Sequence, residues 1–156
     1  MDQKLISILQ KDARLAFTTI AKELNQPDTT IHFRTRRLRE SGVVTRFSAL
    51  VAPSALGYYS SALVSITIGG HILPDISRER TVTFAQELAS KEEYLWVAVG
   101  AAPTTIHALL MGNDAEDLEQ RVNALRRSPD VTGVTVTGIA EVVKGWEISG
   151  SVRDVR

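Results

Sequence analysis

The residues with the clearest chemistry lie in a basic segment at positions 29–44, which reads TTIHFRTRRLRESGVV. Arginine can donate hydrogen bonds to both major-groove acceptors of guanine, and threonine contacts bases or phosphates. Plotted as a helix, Ile31, Thr35 and Leu38 share one face, and the basic residues occupy the other. The pattern favours nucleic-acid binding over a merely solvated basic helix.

Within this pattern the expected contacts divide into base readers and phosphate holders. Arg36 is the first candidate for reading a guanine, and Phe33 has two open roles, contact with a thymine methyl group or packing against a partner. The residues of this helix expected to contact bases or phosphates are Thr30, His32, Arg36 and Arg37. Those expected to hold the phosphate backbone are Arg14, Lys22, Arg34 and Arg46. The predicted DNA-binding set also includes Thr18, Thr29 and Phe33.

Two shorter helices are expected to position this segment. The first is predicted over residues 2–11 and the second over 19–24, capped by Thr18. Pro27 then opens a third helix that ends near Ser41. Two helices joined by a turn of about four residues are typical of a helix-turn-helix, in which the second helix projects from the surface.

The rest of the chain predicts a different architecture. After a strand and linker, four β-rich or apolar segments and two helical ones follow in the order β-α-β-β-α-β, which is a ferredoxin-like arrangement. Such a sheet is covered by helices on one face, so a homodimer is expected to cover the other. The strands are predicted at 62–68, 95–99, 106–111 and 131–143, and the helices at 81–90 and 115–127.

The predicted fold class is therefore α+β, with an N-terminal all-α helix-turn-helix domain before a βαββαβ domain. The expected boundaries are 1–45 for the helix-turn-helix, 46–60 for the strand and linker, 61–148 for the ferredoxin-like domain and 149–156 for a tail.

Charge is distributed unevenly between these parts. The formal net charge of the 156 residues is zero, but the first 50 carry nine Lys or Arg against five Asp or Glu, a net charge of +4. The remaining 106 carry nine against thirteen, a net charge of −4. A basic first third joined to an acidic remainder indicates that one domain meets phosphates and the other does not.

Several classes of protein are not expected from this composition. There is no cysteine and no apolar run near the roughly 18 residues that span a bilayer. The start of the chain lacks a signal-peptide layout, so a cytoplasmic protein without membrane contact is expected. Phosphate-loop, HExxH and GxSxG motifs are absent from the sequence, which predicts no enzyme, no cofactor and no metal.

A resemblance to a known family rests on motifs of the first 44 residues. It is carried by Arg14, Thr18–Lys22, Thr29–His32, Arg34, Arg37–Leu38 and Glu40–Val44. These resemble the Lrp/AsnC (leucine-responsive, feast/famine) regulators, and the likeness extends over nearly the whole chain. The resemblance implies a transcriptional regulator that binds double-stranded DNA, dimerises through its βαββαβ domain and assembles further into octamers, with a small-molecule effector.

The effector half departs from that family. Relatives commonly have Gly-Asp-Tyr-Asp in the loop that helps bind an amino acid, and this chain has Gly100-Ala101-Ala102-Pro103, without a carboxylate. A smaller or less polar ligand and a plain structural turn are both open there. The residues predicted for effector contact are Gly100, Ala101, Ala102, Thr104 and Thr105.

Two further functions are weighed against sequence-specific regulation. One is an architectural protein that compacts DNA with little sequence preference. The other is an enzyme like the siroheme decarboxylases, which resemble Lrp proteins. The basic recognition face and the isolated His71 and His107 argue against that enzyme.

Overall fold

A computed structural model describes residues 1–143, Gly145 and the strand Ile148–Ser149. The chain forms two compact units, Met1–Ala49 and Leu50–Arg156. Of the predicted tail, residues 150–156 lie outside the described residues.

The first unit consists of three helices, α1 (Asp2–Lys11), α2 (Phe17–Leu24) and α3 (Asp28–Glu40). Each has an apolar stripe at helical spacing, and the stripes meet in one core. Its buried members are Leu5, Ile8, Leu9, Ile20, Ala21, Ile31 and Leu38. The three helices predicted from the sequence are confirmed.

The turn between α2 and α3 begins at Asn25, whose φ of 50° and ψ of 52° are left-handed. The amide of Gln26 donates to the carbonyl of Ala21 over 2.9 Å, which closes the end of α2. The prediction that Thr18 caps α2 was wrong. The helix begins at Phe17 and its N-cap is Ala16, without a side-chain bond, so Thr18 is an exposed residue of the first turn.

The expected strand from position 45 was also wrong over most of its length. Strand β1 is only Leu50–Val51, and a short 3₁₀ helix follows at Pro53–Leu56. In the described part of the chain β1 pairs with β6 (Ile148–Ser149), which is two residues long. Residues 45–49 therefore have no strand to pair with there.

The second unit contains a four-stranded antiparallel sheet in the order β3-β4-β2-β5, together with two helices. This confirms the predicted α+β class and the ferredoxin-like order. The elements are β2 (Ser60–Ile68), α4 (Pro74–Ala89), β3 (Tyr94–Val99), β4 (Thr105–Gly112), α5 (Ala115–Arg127) and β5 (Val131–Gly138).

Two boundaries of this unit differ from the prediction by more than two residues. Helix α4 begins seven residues earlier than expected, because the buried position Ser77 in its first part is polar and does not continue an apolar pattern. Strand β5 ends at Gly138 rather than at Val143, since its partner β2 pairs with it only from Ala62 onward.

One face of this sheet packs against α4 and α5. The other, here called the open face, displays the alternate residues of each strand. Leu63 and Trp96 are 42% and 50% exposed, and the Ser65 Oγ atom lies 2.9 Å from His107 Nδ1. The strand register places Leu63, Ser65, Trp96, Ala98, His107, Leu109, Thr135 and Thr137 on this face.

Candidate nucleic-acid interface

The helix α3 divides into two faces as the sequence predicts. Ile31, Thr35 and Leu38 are buried against α1 and α2, with at most 6% of any side chain exposed. The opposite side is solvated, and Phe33 is 64% exposed there. Packing therefore leaves the other side chains of α3 available to a groove, as the recognition helix of a helix-turn-helix requires. The exposed residues of α3 are Thr29, His32, Phe33, Arg36, Arg37, Arg39 and Glu40.

Arg36 is held in place by its own helix. Its Nε atom donates to Glu40 Oε1 over 2.8 Å, one turn further along α3, and this carboxylate raises the pKa of Arg36. Both side chains are largely exposed, so the ion pair contributes little energy. A phosphate or a guanine can replace Glu40 as the partner of Arg36. Until then, the ion pair with Glu40 holds the side chain of Arg36 along the exposed face of α3.

Arg34 lies in a different environment from the other predicted contacts. Its Nη1 atom is 2.6 Å from Asp2 Oδ1, and both side chains are partly buried. The ion pair joins the start of α1 to the middle of α3. Arg34 thus has a positioning role within the unit, and its predicted phosphate contact must compete with Asp2.

The remaining predicted contacts are exposed in the same unit. Arg14 follows α1, where its amide and its Nε atom both donate to Asp12 Oδ1, over 2.9 Å and 3.3 Å. These bonds to Arg14 lower the pKa of Asp12. The residues Thr18, Lys22 and Arg46 are exposed on α2 and after α3, while Thr30 is half-buried near the start of α3.

Sequence reasoning missed the aromatic residues that border α3. The ring of Phe17 meets the imidazole of His32 edge-on, with 4.4 Å between the ring centres. Phe47 follows the end of α3, and the centre of its ring lies 5.9 Å from the guanidinium carbon of Arg39 in the last turn of the helix. Helical periodicity could not reveal these contacts, because Phe17 and Phe47 lie outside α3.

The predicted effector loop is the tight turn between β3 and β4. The amide of Gly100 donates to the Thr105 carbonyl over 2.8 Å, and the Thr105 amide donates to Ala102. A Cβ atom at Gly100 would lie 3.2 Å from the Nε2 atom of His107, so little room remains beside it. The carbonyl of Thr104 accepts from Ile68 over 2.8 Å. Several main-chain groups of the loop are thus occupied by the hairpin itself, and Ala101 is exposed.

Among the described residues, no group of three or more His, Cys, Asp or Glu side chains is arranged to hold a metal ion. Nor does any helix of that part of the chain have the length and apolar character needed to cross a membrane.

Comparison with known proteins places these features in context. Residues 1–39 match the model of the AsnC-type helix-turn-helix domain. An HTH-type transcriptional regulator of Pyrococcus horikoshii is 29% identical, and the match covers 99% of this chain and 95% of the relative. The HTH-type transcriptional regulator FL11 of Pyrococcus furiosus is 46% identical over 68 residues, which are 44% of this chain and 45% of that protein. Both relatives are named as transcriptional regulators.

Solved structures give the same result for the whole chain. The transcriptional regulatory protein PF0864 of Pyrococcus furiosus, described as a member of the AsnC family, superposes with a TM-score of 0.74 at 26% identity and covers 96% of this chain and 94% of that one. AsnC of E. coli gives a TM-score of 0.78 over 92% and 93% of the two chains, and its 18% identity supports the fold alone. The family resemblance found in the sequence is confirmed.

Proposed function

We propose that the chain is a transcriptional regulator of the Lrp/AsnC type and that it binds specific double-stranded DNA sites as a homodimer. The observation that supports this most directly is α3. One side of the helix is packed on α1 and α2, and the other presents exposed Arg36 and Arg37 together with Phe33. A surplus of positive charge in the first 50 residues adds non-specific attraction to phosphates.

In the proposed complex α3 lies in the major groove. Arg36 exchanges Glu40 for a guanine, and Arg37 and Thr30 contact bases or phosphates close by. Exchanging a solvated i,i+4 pair costs only about 0.3–0.5 kcal/mol, much less than a bidentate guanine contact contributes. The exposed ring of Phe33 has no polar group to satisfy, so it is suited to a thymine methyl group.

The dimer is proposed to form through the open face. That face carries two large exposed apolar side chains, Leu63 and Trp96, and none of its residues has a permanent charge. A second copy would bury both side chains, and two recognition helices related by a two-fold axis would then read half-sites about one helical turn apart. Further assembly into octamers is part of the proposal that comes from the family resemblance.

A single substitution tests the surface used. Leu63→Arg would place an unpaired charge in the buried interface, so we expect a monomer by analytical ultracentrifugation. Ile72→Arg is the matched control, because Ile72 is 94% exposed in the loop before α4 and lies off the open face. If Leu63→Arg dimerises as strongly as the wild type, the open face is not the interface. The sedimentation of the wild type also distinguishes a dimer from an octamer.

DNA selected from a random pool tests specificity. A shared sequence motif supports the regulator, whereas enrichment of bent or A·T-rich DNA without a motif supports an architectural protein. On the selected site, Arg36→Ala should cost about 1–3 kcal/mol and relax specificity at one base pair. The control Arg126→Ala removes an exposed helical arginine from the second unit and should bind as the wild type does. Absence of binding at low salt would contradict the whole proposal.

The proposal also includes a small-molecule effector. We place it at the loop Gly100–Thr105 and expect a ligand less polar than a free amino acid, since the loop has no carboxylate to bind an α-amino group. Gel-shift titrations with a panel of aliphatic and polar amino acids test this directly, because any of these that changes DNA affinity would contradict it. The proposed place of action is the cytoplasm.

A further inference from the structure

A cleft of about 590 Å³ opens within the first unit, along the side of α3 that faces Phe17 and Phe47. We call it the α3 cleft. Its volume is in the range of about 300–1,000 Å³ that is typical of small-molecule sites. The two phenylalanine rings provide apolar walls, and His32, Arg36 and Arg39 provide the polar groups. Aromatic walls with a few polar groups are the usual composition of a ligand site.

Thr35 lies at the base of this cleft and has an unusual hydroxyl group. Its side chain is 4% exposed, and its Oγ1 atom has no hydrogen-bond partner within the described part of the chain. A buried hydroxyl without a partner is costly, because it has lost its hydrogen bonds to water and gained none in exchange. The hydroxyl is therefore a polar group in the wall of the cleft that a ligand could satisfy once the atoms that cover it move aside.

The charges of the α3 cleft favour an anion. Arg36 is paired with Glu40, the one carboxylate among the residues that line the cleft. Arg39 has no carboxylate partner in the described structure, and its guanidinium lies 5.9 Å from the centre of the Phe47 ring. A ligand with a flat apolar body and one negative group would stack on Phe47 and pair with Arg39.

We propose that the α3 cleft binds a small aromatic carboxylate. Its ring lies between Phe17 and Phe47, its carboxylate pairs with Arg39, and an oxygen atom reaches the hydroxyl of Thr35. Because Arg36 and His32 border the same cleft, the ligand and DNA exclude each other. This second part rests on the proposed DNA-binding function, whereas binding of the ligand does not.

The experiment measures binding to the full chain by isothermal titration calorimetry, without DNA. Indole-3-acetate and benzoate serve as aromatic carboxylates, benzyl alcohol as a neutral aromatic compound, and acetate and inorganic phosphate as small anions. We expect saturable binding of the aromatic carboxylates at one site per chain. Benzyl alcohol and the two small anions should each bind at least about tenfold more weakly, because each lacks one of the two interactions. Equal binding of acetate or phosphate would show only a basic patch, and equal binding of benzyl alcohol only an apolar cleft; either would overturn the proposal.

Three variants locate the site. Arg39→Gln should weaken binding of indole-3-acetate by at least about tenfold, and Thr35→Val by about threefold to tenfold. Thr35→Val keeps the shape of the side chain, and thermal unfolding should show a stability equal to or higher than that of the wild type. Arg37→Gln is the control, since Arg37 is exposed on α3 but does not line the cleft. Unchanged binding in both Arg39→Gln and Thr35→Val would place the ligand elsewhere and contradict the proposal.

A gel shift then tests the exclusion. Saturating indole-3-acetate should lower the affinity for the selected DNA site, and the effect should disappear in Arg39→Gln. If the ligand binds in calorimetry but leaves DNA affinity unchanged, the exclusion is wrong. If DNA binds and no ligand does, the inference about the cleft fails while the proposed function stands.

Discussion

Replacement of Gly112 by alanine should severely weaken the second unit. Gly112 ends β4 directly beneath the start of α5, and an ideal Cβ atom there lies 2.7 Å from the backbone nitrogen of Leu118. It would also lie 2.8 Å from the Leu118 Cβ atom and 2.9 Å from its Cα atom. These are mostly backbone atoms that no rotamer change can move, so β4 and α5 must separate. Overpacking typically costs about 1–3 kcal/mol, and we expect the upper half of that range.

Urea unfolding followed by tryptophan fluorescence measures this cost, because Trp96 lies in β3 of the second unit and the sequence has no tryptophan before it. With a slope near 2 kcal/mol per molar urea, a loss of about 2–3 kcal/mol lowers the midpoint by about 1–1.5 M. Gly138→Ala in β5 is the control, since a Cβ atom there meets nothing within 4 Å, and its midpoint should stay close to that of the wild type. Equal midpoints for Gly112→Ala and the wild type would refute the close packing of α5 on β4.

Two smaller effects are expected in the same unit. Asp114 caps α5, because its side chain accepts a hydrogen bond from the Asp117 amide over 2.8 Å. Asp114→Ala should therefore lower the free energy of unfolding in urea by about 1 kcal/mol, and Asp114→Ser by much less. Equal losses in the two variants would contradict the cap. Burial raises the pKa of Tyr94 to about 12, with the charge of Glu93 adding to the shift, so its stabilising effect is complete below pH 10 and disappears as the pH rises toward 12. Unfolding from pH 9 to 12 should therefore show a smaller loss of stability in Tyr94→Phe than in the wild type, and identical pH profiles would contradict the burial.

Helical faces were predictable from the sequence, whereas the starts of α2 and α4 were not. Ile31, Thr35 and Leu38 recur at a spacing that admits only one buried face, and all three are buried. The start of α2 depends instead on a tertiary contact, because Phe17 packs on His32 and thereby enters the helix ahead of Thr18. A local preference for a hydroxyl cap is worth about 1 kcal/mol, and packing of an aromatic ring can exceed it.

The same limit applies to α4, where polar residues occupy core positions. Thr81 is fully buried, and its hydroxyl donates to the carbonyl of Ser77 over 2.8 Å within the same helix. A polar side chain whose hydrogen bonds are made within its own helix can lie in the core. A search for regularly spaced apolar residues does not identify it as a core position. The predicted start therefore fell seven residues late, at Thr81 rather than at Pro74.

For the candidate site, the exposed residues of α3 followed from the sequence but their partners did not. Asp2 and Arg34 are 32 positions apart, and no periodicity relates them. Only the fold brings them to 2.6 Å, and the contact changes Arg34 from a free cation into a link between α1 and α3. The α3 cleft was missed for the same reason, since Phe17 and Phe47 come from either side of the helix in sequence.

The proposed DNA-binding surface and the open face differ in charge. The recognition surface needs cations that remain available to phosphates, and each phosphate contact makes log affinity fall with log salt by about 0.9. The open face bears no permanent charge, so salt screening has little effect on its pairing. A salt titration should therefore release DNA while the dimer persists. The net charge of zero is the sum of +4 in the first 50 residues and −4 in the remaining 106. For this reason the composition of the whole chain conceals the basic character of its first 50 residues.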